Sequence, residues 1–388
     1  MTLLVLNSGS SSIKFASYVR GERRGEVVER LRGQVSGLPD AAVLSWGRAG
    51  GKRDERRLPG NVDSRGALEA VLAQVDEAGA LGAIEAVGHR IAHGGQALIR
   101  PVRIDDDVLA LIESLTPLAP LHQGFSLAGV RAMQSLAPEA VQVACFDTAF
   151  HATQPALHTT MPLPAAWRER GARRYGFHGL SFEWIARKLP QLLGAAADAR
   201  VIVAHLGSGA SVCGMRERRS VRTSMGLSTL GGLMMSTRPG DLDPGVLLYL
   251  QQQLHVDIEA VSHGLHRESG LLGLSGLSGD MRALEASEDP RAGFAIEMFC
   301  QRAAQEIAAT AAAIGGCDAL VFTGGIGEHS QRARREIAAL LGWMGVRLDH
   351  ALNRADGPRV HAADSAVAVW VVPTDEEQVI AGHVAAMT

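Results

Sequence analysis

The sequence is short of the features that mark membrane, secreted and nucleic-acid-binding proteins. No apolar run approaches the roughly 18 to 20 residues that a membrane helix needs. The opening MTLLVLNSGSSS lacks the basic stretch of a signal peptide. Lys plus Arg number 38 against 41 Asp plus Glu, a net charge of −3 that leaves no basic field for nucleic acid. The four cysteines, Cys145, Cys213, Cys300 and Cys317, lie far apart in apolar or small-residue settings and form no C-x-x-C pair. They read as buried free thiols of a reduced, cytoplasmic protein rather than as a disulfide framework or zinc site. Lysine is nearly missing: Lys14, Lys52 and Lys188 are the only three among 38 basic residues, so Lys14, beside a Ser/Gly turn, stands out. The Walker-type G-x-x-x-x-G-K-[ST] sequence is absent, and GGIGEH does not fit the G-x-G-x-x-G dinucleotide spacing.

What is present is an ordinary globular mix, 46% hydrophobic and 20% charged, in 388 residues. That length is too great for one small core and suits two domains. Thr2–Asn7 reads as an apolar strand, Ser8–Ser12 as a Gly/Ser turn and Ile13–Tyr18 as a returning strand. Ser64 is expected to cap a helix with Leu68, Val71, Leu72 and Val75 on one face. Asp105–Leu115 reads as a second helix with an acidic first turn, and Val141–Phe146 as a strand ending at Asp147. The second half repeats the plan. Strand Arg200–His205, turn Leu206–Gly209 and strand Ala210–Met215 are followed by a long helix at Pro290–Ile314. Strand Ala319–Phe322 leads into a glycine turn at Gly324–Gly327 and a helix from Glu328; strand Val367–Val372 and helix Asp375–Ala386 end the chain. Two strand–turn–strand units half a chain apart indicate a duplicated α/β domain with a cleft between the copies.

The chemistry sits in the loops. NSGSSS offers successive backbone N–H groups and hydroxyls to an anion, with Lys14 just beyond as a point charge. HLGSGAS (205–211) repeats the device, and TGGIGEH (323–329) adds glycines at a helix start. One such loop is equally a plain turn; three in one chain point to a nucleotide. HRIAHGG (89–95), YGFHG (175–179) and STRPGDLDPG (236–245) place Arg90, His178 and Arg238 in Gly/Pro-rich turns. Fixed cations there suit phosphoryl transfer, although a lone Arg is more often a surface ion pair. FDTAFH (146–151) ends a strand at Asp147, a place for an orienting carboxylate and also a common turn.

Taken together and in order, NSGSSSIKF, HRIAHGG, FDTAFH, YGFHG, HLGSGAS, GLMMSTRPGDLDP, SGDMR, FTGGIGE and PTDEEQVIA resemble the acetate/propionate kinase family, within the sugar kinase, heat-shock chaperone and actin superfamily. The resemblance covers nearly the whole chain. It implies an α/β fold of two ribonuclease H-like domains, the actin-like ATPase fold, with an interdomain cleft. Residues 1–148 plus 375–388 would form an N-terminal acyl/phosphate domain, and 149–374 a C-terminal nucleotide-binding domain. The implied reaction passes the γ-phosphate of ATP to a short-chain carboxylate, giving an acyl phosphate and ADP, with Mg2+ (or Mn2+) as cofactor. A homodimer, and no nucleic-acid or membrane partner, are further expectations.

Carried over by motif, Asn7 and Glu376 would hold the metal. Ser10, Ser12, Lys14 and His205, Leu206, Gly207, Ser208 and Gly209 would approach the nucleotide phosphates. Asp280, Met281, Arg282, Gly325, Ile326, Gly327, Glu328 and His329 would line the adenosine side. Arg90 would bind the carboxylate, with Arg90, His178 and Arg238 steadying the transferring phosphoryl and Asp147 as the acidic residue. Since a carboxylic acid is already ionised at neutral pH, no general base is needed, and Asp147 is expected to orient an arginine or a metal-bound water. Direct in-line transfer is expected over a phosphoenzyme, and the lobes should close to exclude water. Ala92, Leu121 and Thr229 would wall the acyl pocket.

The chain departs from the family pattern at several places. Ser208 and His329 stand where Asn is usual, Phe182 where a second His is usual, and Ser236 where Gly is common. Thr229 and Gly231 replace Pro and Glu, and Ala92 replaces Val. The last change either makes room for propionate or is refilled by Thr229 or a shifted loop. Alternatives to an acetate-specific enzyme are therefore a propionate- or butyrate-preferring kinase of the same family, or a non-catalytic nucleotide-binding switch of the superfamily.

Overall fold

The computed structural model describes residues 2–9, 12–22, 26–48, 51–78, 84–355 and 357–388, with Leu121 described by its backbone alone. The chain divides into two compact units, Met1–Phe150 with Asp375–Thr388, and His151–Thr374. Among the described residues no helix is long and apolar enough to cross a membrane.

The first unit is built on an eight-stranded sheet: β1 (Thr2–Ser8), β2 (Ser12–Arg20), β3 (Val27–Ser36), β4 (Val43–Gly47), β5 (Asp54–Arg57), β6 (Ile84–Ile91), β7 (Val102–Arg103) and β8 (Val141–Phe146), in the order β5-β4-β3-β2-β1-β6-β8-β7. β1 and β2 pair antiparallel, with Asn7 opposite Lys14, whereas β1, β6 and β8 run parallel. Helix α1 (Ser64–Glu77) buries Ala67, Leu68, Val71 and Val75 against this sheet's core, as its spacing predicts. Its cap is Asp63 rather than Ser64: the Asp63 carboxylate accepts from the N–H of Gly66 at 2.8 Å. A carboxylate at this place also meets the positive end of the helix dipole, which the Ser64 hydroxyl does not exploit. Helix α2 (Asp106–Ser114), capped by Asp105, and α3 (Pro120–Leu136) complete the packing.

The second unit carries β9 (Val201–Leu206), β10 (Ala210–Arg216), β11 (Arg219–Thr223), β12 (Ala319–Thr323) and β13 (Ala368–Val371), ordered β11-β10-β9-β12-β13. β9–β10 and β10–β11 are antiparallel; β9–β12 and β12–β13 are parallel. This repeats the β3-β2-β1-β6-β8 arrangement strand for strand, so the duplication is one of topology as well as of sequence pattern. Helix α4 (Gly179–Leu193) leads into this sheet, and α5 (Pro290–Ile314) spans its core with eleven buried side chains. The segment expected as a glycine turn is itself helical: α6 runs Gly324–His329, with α7 (Gln331–Leu340) behind it. Gly324, at φ +76°, makes the turn alone, and the Glu328 carboxylate accepts from its N–H at 2.9 Å, which pulls the next residues into a helical turn.

The chain then returns to the first unit through α8 (Glu376–Met387), whose Val379, Ile380, Ala381 and Val384 are buried. β6 admits this helix because Gly88 has no side chain. A Cβ there would lie 2.4 Å from Ile380 Cγ2 and 2.7 Å from Val384 Cγ2.

Candidate active site

In the first unit, charged groups gather at the carboxyl ends of the parallel strands, where open α/β sheets hold ligands. Asn7 is near the end of β1, Arg90 near the end of β6, and Asp147 follows β8 directly. The Arg90 guanidinium forks onto the Asp147 carboxylate, Nε to Oδ1 at 3.0 Å and Nη2 to Oδ2 at 2.5 Å. Its Nη1 donates to Asn7 Oδ1 at 3.1 Å, and Nε stands 3.6 Å from Glu376 Oε2. Asp147 is buried, and its own N–H is held by the carbonyl of Ile91. Burial works against the Arg90 charge, but Asp147 and Glu376 more than offset it and raise its pKa. Glu376 is pushed up to about 7, first by burial and then by Asp147 and Glu377, against the pull of Arg90 and Lys14.

Glu376 is placed by its neighbour. Asp375 caps α8 by accepting from the N–H of Gln378 at 3.1 Å, and Arg32 Nη2 donates to both Asp375 oxygens at 2.7 and 2.9 Å. Ala92 is buried at the start of the HGG loop. In that loop Gly94 N–H donates to Thr148 Oγ1 at 3.0 Å and Gln123 Nε2 donates to the His93 carbonyl at 3.1 Å. His93 Nδ1 accepts from Gly95 N–H at 2.9 Å, and burial lowers its pKa to about 4, so the ring is a neutral structural brace. Along β2, Ser12 is half-buried, Ile13 buried and Lys14 exposed. Ser10 and the Leu121 side chain lie outside the described residues.

In the second unit the histidines and Arg238 meet at the β9–β10 turn. His178 takes a left-handed backbone, φ +58°, at the cap of α4, and its Nδ1 lies 2.8 Å from Ser211 Oγ. Its ring stacks on that of His205 with centroids 4.3 Å apart. His205 Nδ1 is in turn 2.8 Å from Ser181 Oγ. Arg238 Nη1 donates to the Thr229 carbonyl at 2.9 Å, and burial followed by the Arg267 charge lowers the Arg238 pKa to about 10. The absent side chain of Gly209 is what lets these groups converge. A Cβ on Gly209 would sit 2.8 Å from Arg238 Nη2 and 3.1 Å from His178 Nε2. Phe182, where the family pattern has a second histidine, is fully buried and edge-on to both His151 and His205.

A cavity of about 570 Å³ opens beside this turn, within the range of small-molecule sites. Gly207, Ser208, Asp280, Met281, Arg282, Gly325, Ile326 and His329 all line it, together with Ser236 and Thr237. Asp280 caps the helix Met281–Glu285 and is forked by Arg282, which lowers its pKa. Gly327 and Glu328 do not line the cavity, nor do His205, Leu206 and Gly209. Leu206 is wholly buried, and Glu328 is turned to the N–H groups of Gly324 and Thr374.

Sequence reading missed the residues that hold these groups in place. Ser211 and Ser181 stand against His178 and His205, Thr374 Oγ1 against Ser181 Oγ, Arg32 holds Asp375, and Arg174 Nη1 donates to the carbonyls of Thr223, Ser224 and Met225. Only Ser211 and Thr374 lay inside a recognised motif. Among the described residues no group of three or more His, Cys, Asp and Glu could hold a metal ion. The Asn7 amide oxygen and the Glu376 carboxylate are hard oxygen donors of the kind Mg2+ takes, and both stand against Arg90, at 3.1 Å from Nη1 and 3.6 Å from Nε.

Residues 2–382 match the family model described as the acetokinase family. An acetate kinase of Rhodopseudomonas palustris is 46% identical over 98% of this chain and 97% of its own length. Among solved structures, a propionate kinase from Francisella tularensis superposes with a TM-score of 0.92 at 34% identity, covering 98% of both chains. The acetate kinase of Porphyromonas gingivalis does so with a TM-score of 0.88 at 36% identity over the whole of both chains.

Proposed function

Because the chain belongs to the acetokinase family and is a kinase, we propose that it passes the γ-phosphoryl of ATP to acetate, reversibly, giving acetyl phosphate and ADP. The observation that carries this reading is the convergence of His178 Nε2 and Arg238 Nη2 on the place a Gly209 side chain would fill. Two donors aimed at one small space suit the equatorial oxygens of a moving phosphoryl group.

Arg90 is assigned to the acetate carboxylate. Acetate is an anion at neutral pH and attacks without losing a proton, so no base is required. Asp147 therefore acts by aiming Arg90, through the fork described above. The 570 Å³ cavity takes the adenosine, with Gly207 and Ser208 at its phosphate end. Asn7 and Glu376 would hold Mg2+, which when bound neutralises charge on the nucleotide phosphates. Ser12 and Lys14 are assigned to the phosphates as well, and one in-line displacement at phosphorus is favoured over a phosphoenzyme.

A second acyl substrate is favoured by one residue. Ala92 is buried where the family pattern has valine, and its smaller side chain would suit the extra carbon of propionate. A homodimer is proposed on the second unit's apolar face, where Leu248, Tyr249 and Ile258 are 55%, 55% and 60% exposed beside a cavity of about 780 Å³. A cytoplasmic location completes the reading. The test is hydroxylamine trapping of the acyl phosphate formed from ATP, Mg2+ and acetate, propionate or butyrate. ATP hydrolysis indifferent to any carboxylate would replace this reading with a nucleotide switch.

A further inference from the structure

The chain leaves the second unit at Thr374 and enters the first at Asp375. Each side of that junction is clamped. Asp375 is held by Arg32, as described. On the other side the Pro373 carbonyl accepts from Trp184 Nε1 at 2.8 Å, Thr374 N–H donates to Glu328 Oε1 at 3.1 Å, and Thr374 Oγ1 donates to Ser181 Oγ at 2.8 Å. Trp184 and Ser181 both belong to α4, whose cap is His178.

The two hydroxyls and the imidazole form a chain of 2.8 Å contacts. Ser181 is fully buried and has one proton to give. When it accepts from Thr374, its O–H is left to point at His205 Nδ1, 2.8 Å away. The His205 proton then sits on Nε2, the nitrogen on the side of the Gly207 loop, 3.7 Å from where a Gly207 Cβ would be. We propose that Thr374 is a positioning residue: through Ser181 its hydroxyl holds His205 in the tautomer that donates from Nε2 toward the phosphate loop. This rests on the assignment of that loop to the nucleotide phosphates. Thr374 is thereby tied to His205 through its hydroxyl and to α6 through its backbone N–H and Glu328.

The test uses the full chain with Thr374→Val, Thr374→Ser, Ser181→Ala and the Val/Ala double variant. Thr374→Val keeps the backbone N–H that binds Glu328, so KM for ATP should stay within about twofold while kcat falls about tenfold, the worth of one buried hydrogen bond. Thr374→Ser should restore kcat, and the double variant should be no worse than either single one. In protein carrying 15N-labelled histidine, the His205 ring should show one Nε2-protonated tautomer that is lost in Thr374→Val and Ser181→Ala. Unchanged kcat in Thr374→Val, multiplying losses in the double variant, or no rescue by Ser would overturn the proposal. Should the wild type form no acyl phosphate, the functional reading fails, whereas the tautomer measurement still decides the role of Thr374.

Discussion

Replacing Gly209 by alanine tests the site's geometry without touching its charges. Gly209 does not have a positive φ, so the backbone accepts alanine. The added methyl would begin 2.8 Å from Arg238 Nη2 and 3.1 Å from His178 Nε2. Ordinary contact lies near about 3.5 Å, so Arg238 must retreat by about 0.7 Å and His178 by about 0.4 Å. Arg238 Nη2 is the far end of a long side chain, but Nη1 is held by the Thr229 carbonyl, so the stability cost should be about 1 kcal/mol, the low end of the range for overpacking. The catalytic cost is larger. Misplacing a reacting group by about 1 Å costs about a hundredfold, which puts the expected loss in kcat at about 30- to 100-fold. Hydroxylamine trapping gives kcat and KM for ATP and acetate, and thermal unfolding gives stability. KM for ATP should hold, because Gly209 does not line the nucleotide cavity. A kcat within about threefold of wild type, or a loss matched by a lower Tm, would show that the convergence on Gly209 is not where phosphoryl transfer occurs.

Three further changes probe the first unit. Glu376 has its folded pKa raised from 4.5 to about 7, so its stabilising contribution is whole below pH 4.5 and lost as pH rises through 7. Glu376→Gln should therefore raise Tm relative to wild type at pH 8 but not at pH 4.5, in the absence of Mg2+ and nucleotide; equal shifts at both pH values would refute the assignment. Asp147→Asn breaks the fork to Arg90 and should lower kcat at least about tenfold without creating a new pH requirement; full recovery at high pH would instead make Asp147 a base. Ala92→Val fills the acyl pocket, and at about 0.8 kcal/mol per methylene each carbon is worth about fourfold in the propionate-to-acetate ratio of kcat/KM. A wild-type preference for acetate of about tenfold or more would sink the propionate reading.

The legible parts of this molecule are those set by local pattern. The α5 boundaries, Pro290 to Ile314, follow from a proline at the first turn, an aspartate before it and a glycine after it. Strand β8 ends at Phe146, as the apolar run does. What local pattern could not reach was contact between distant segments. Ser181 and Thr374 are ordinary hydroxyls in sequence, 193 residues apart, and acquire a role only when α4 passes the end of the second unit. Arg32, on β3, lies 343 residues from the Asp375 it holds. The glycines of α6 misled for a different reason. Glycines so closely spaced favour a turn locally, and the Glu328 carboxylate, folding back onto Gly324, overrides them.

The duplicated sheet places different groups at equivalent strand ends. The turn between β1 and β2 and the turn between β9 and β10 are equivalent in topology, as are the ends of β6 and β12. At the end of β6 the first copy places Arg90; at the end of β12 the second places Thr323 and then glycine. Charge at that position suits small anions, and bare backbone suits close approach by a larger ligand with its own phosphates. On the proposed assignment the same scaffold would serve two ligands by changing what stands at its strand ends. This argues that separate loss should follow separate variants: changes at Arg90 should fall on the carboxylate, and changes at Gly325 on the nucleotide. Arg90→Ala should raise KM for acetate far more than KM for ATP, and Gly325→Val the reverse, since the Gly325 Cβ position is open space at the cavity wall. Equal effects on both substrates from either change would mean that the two copies do not share the work in this way.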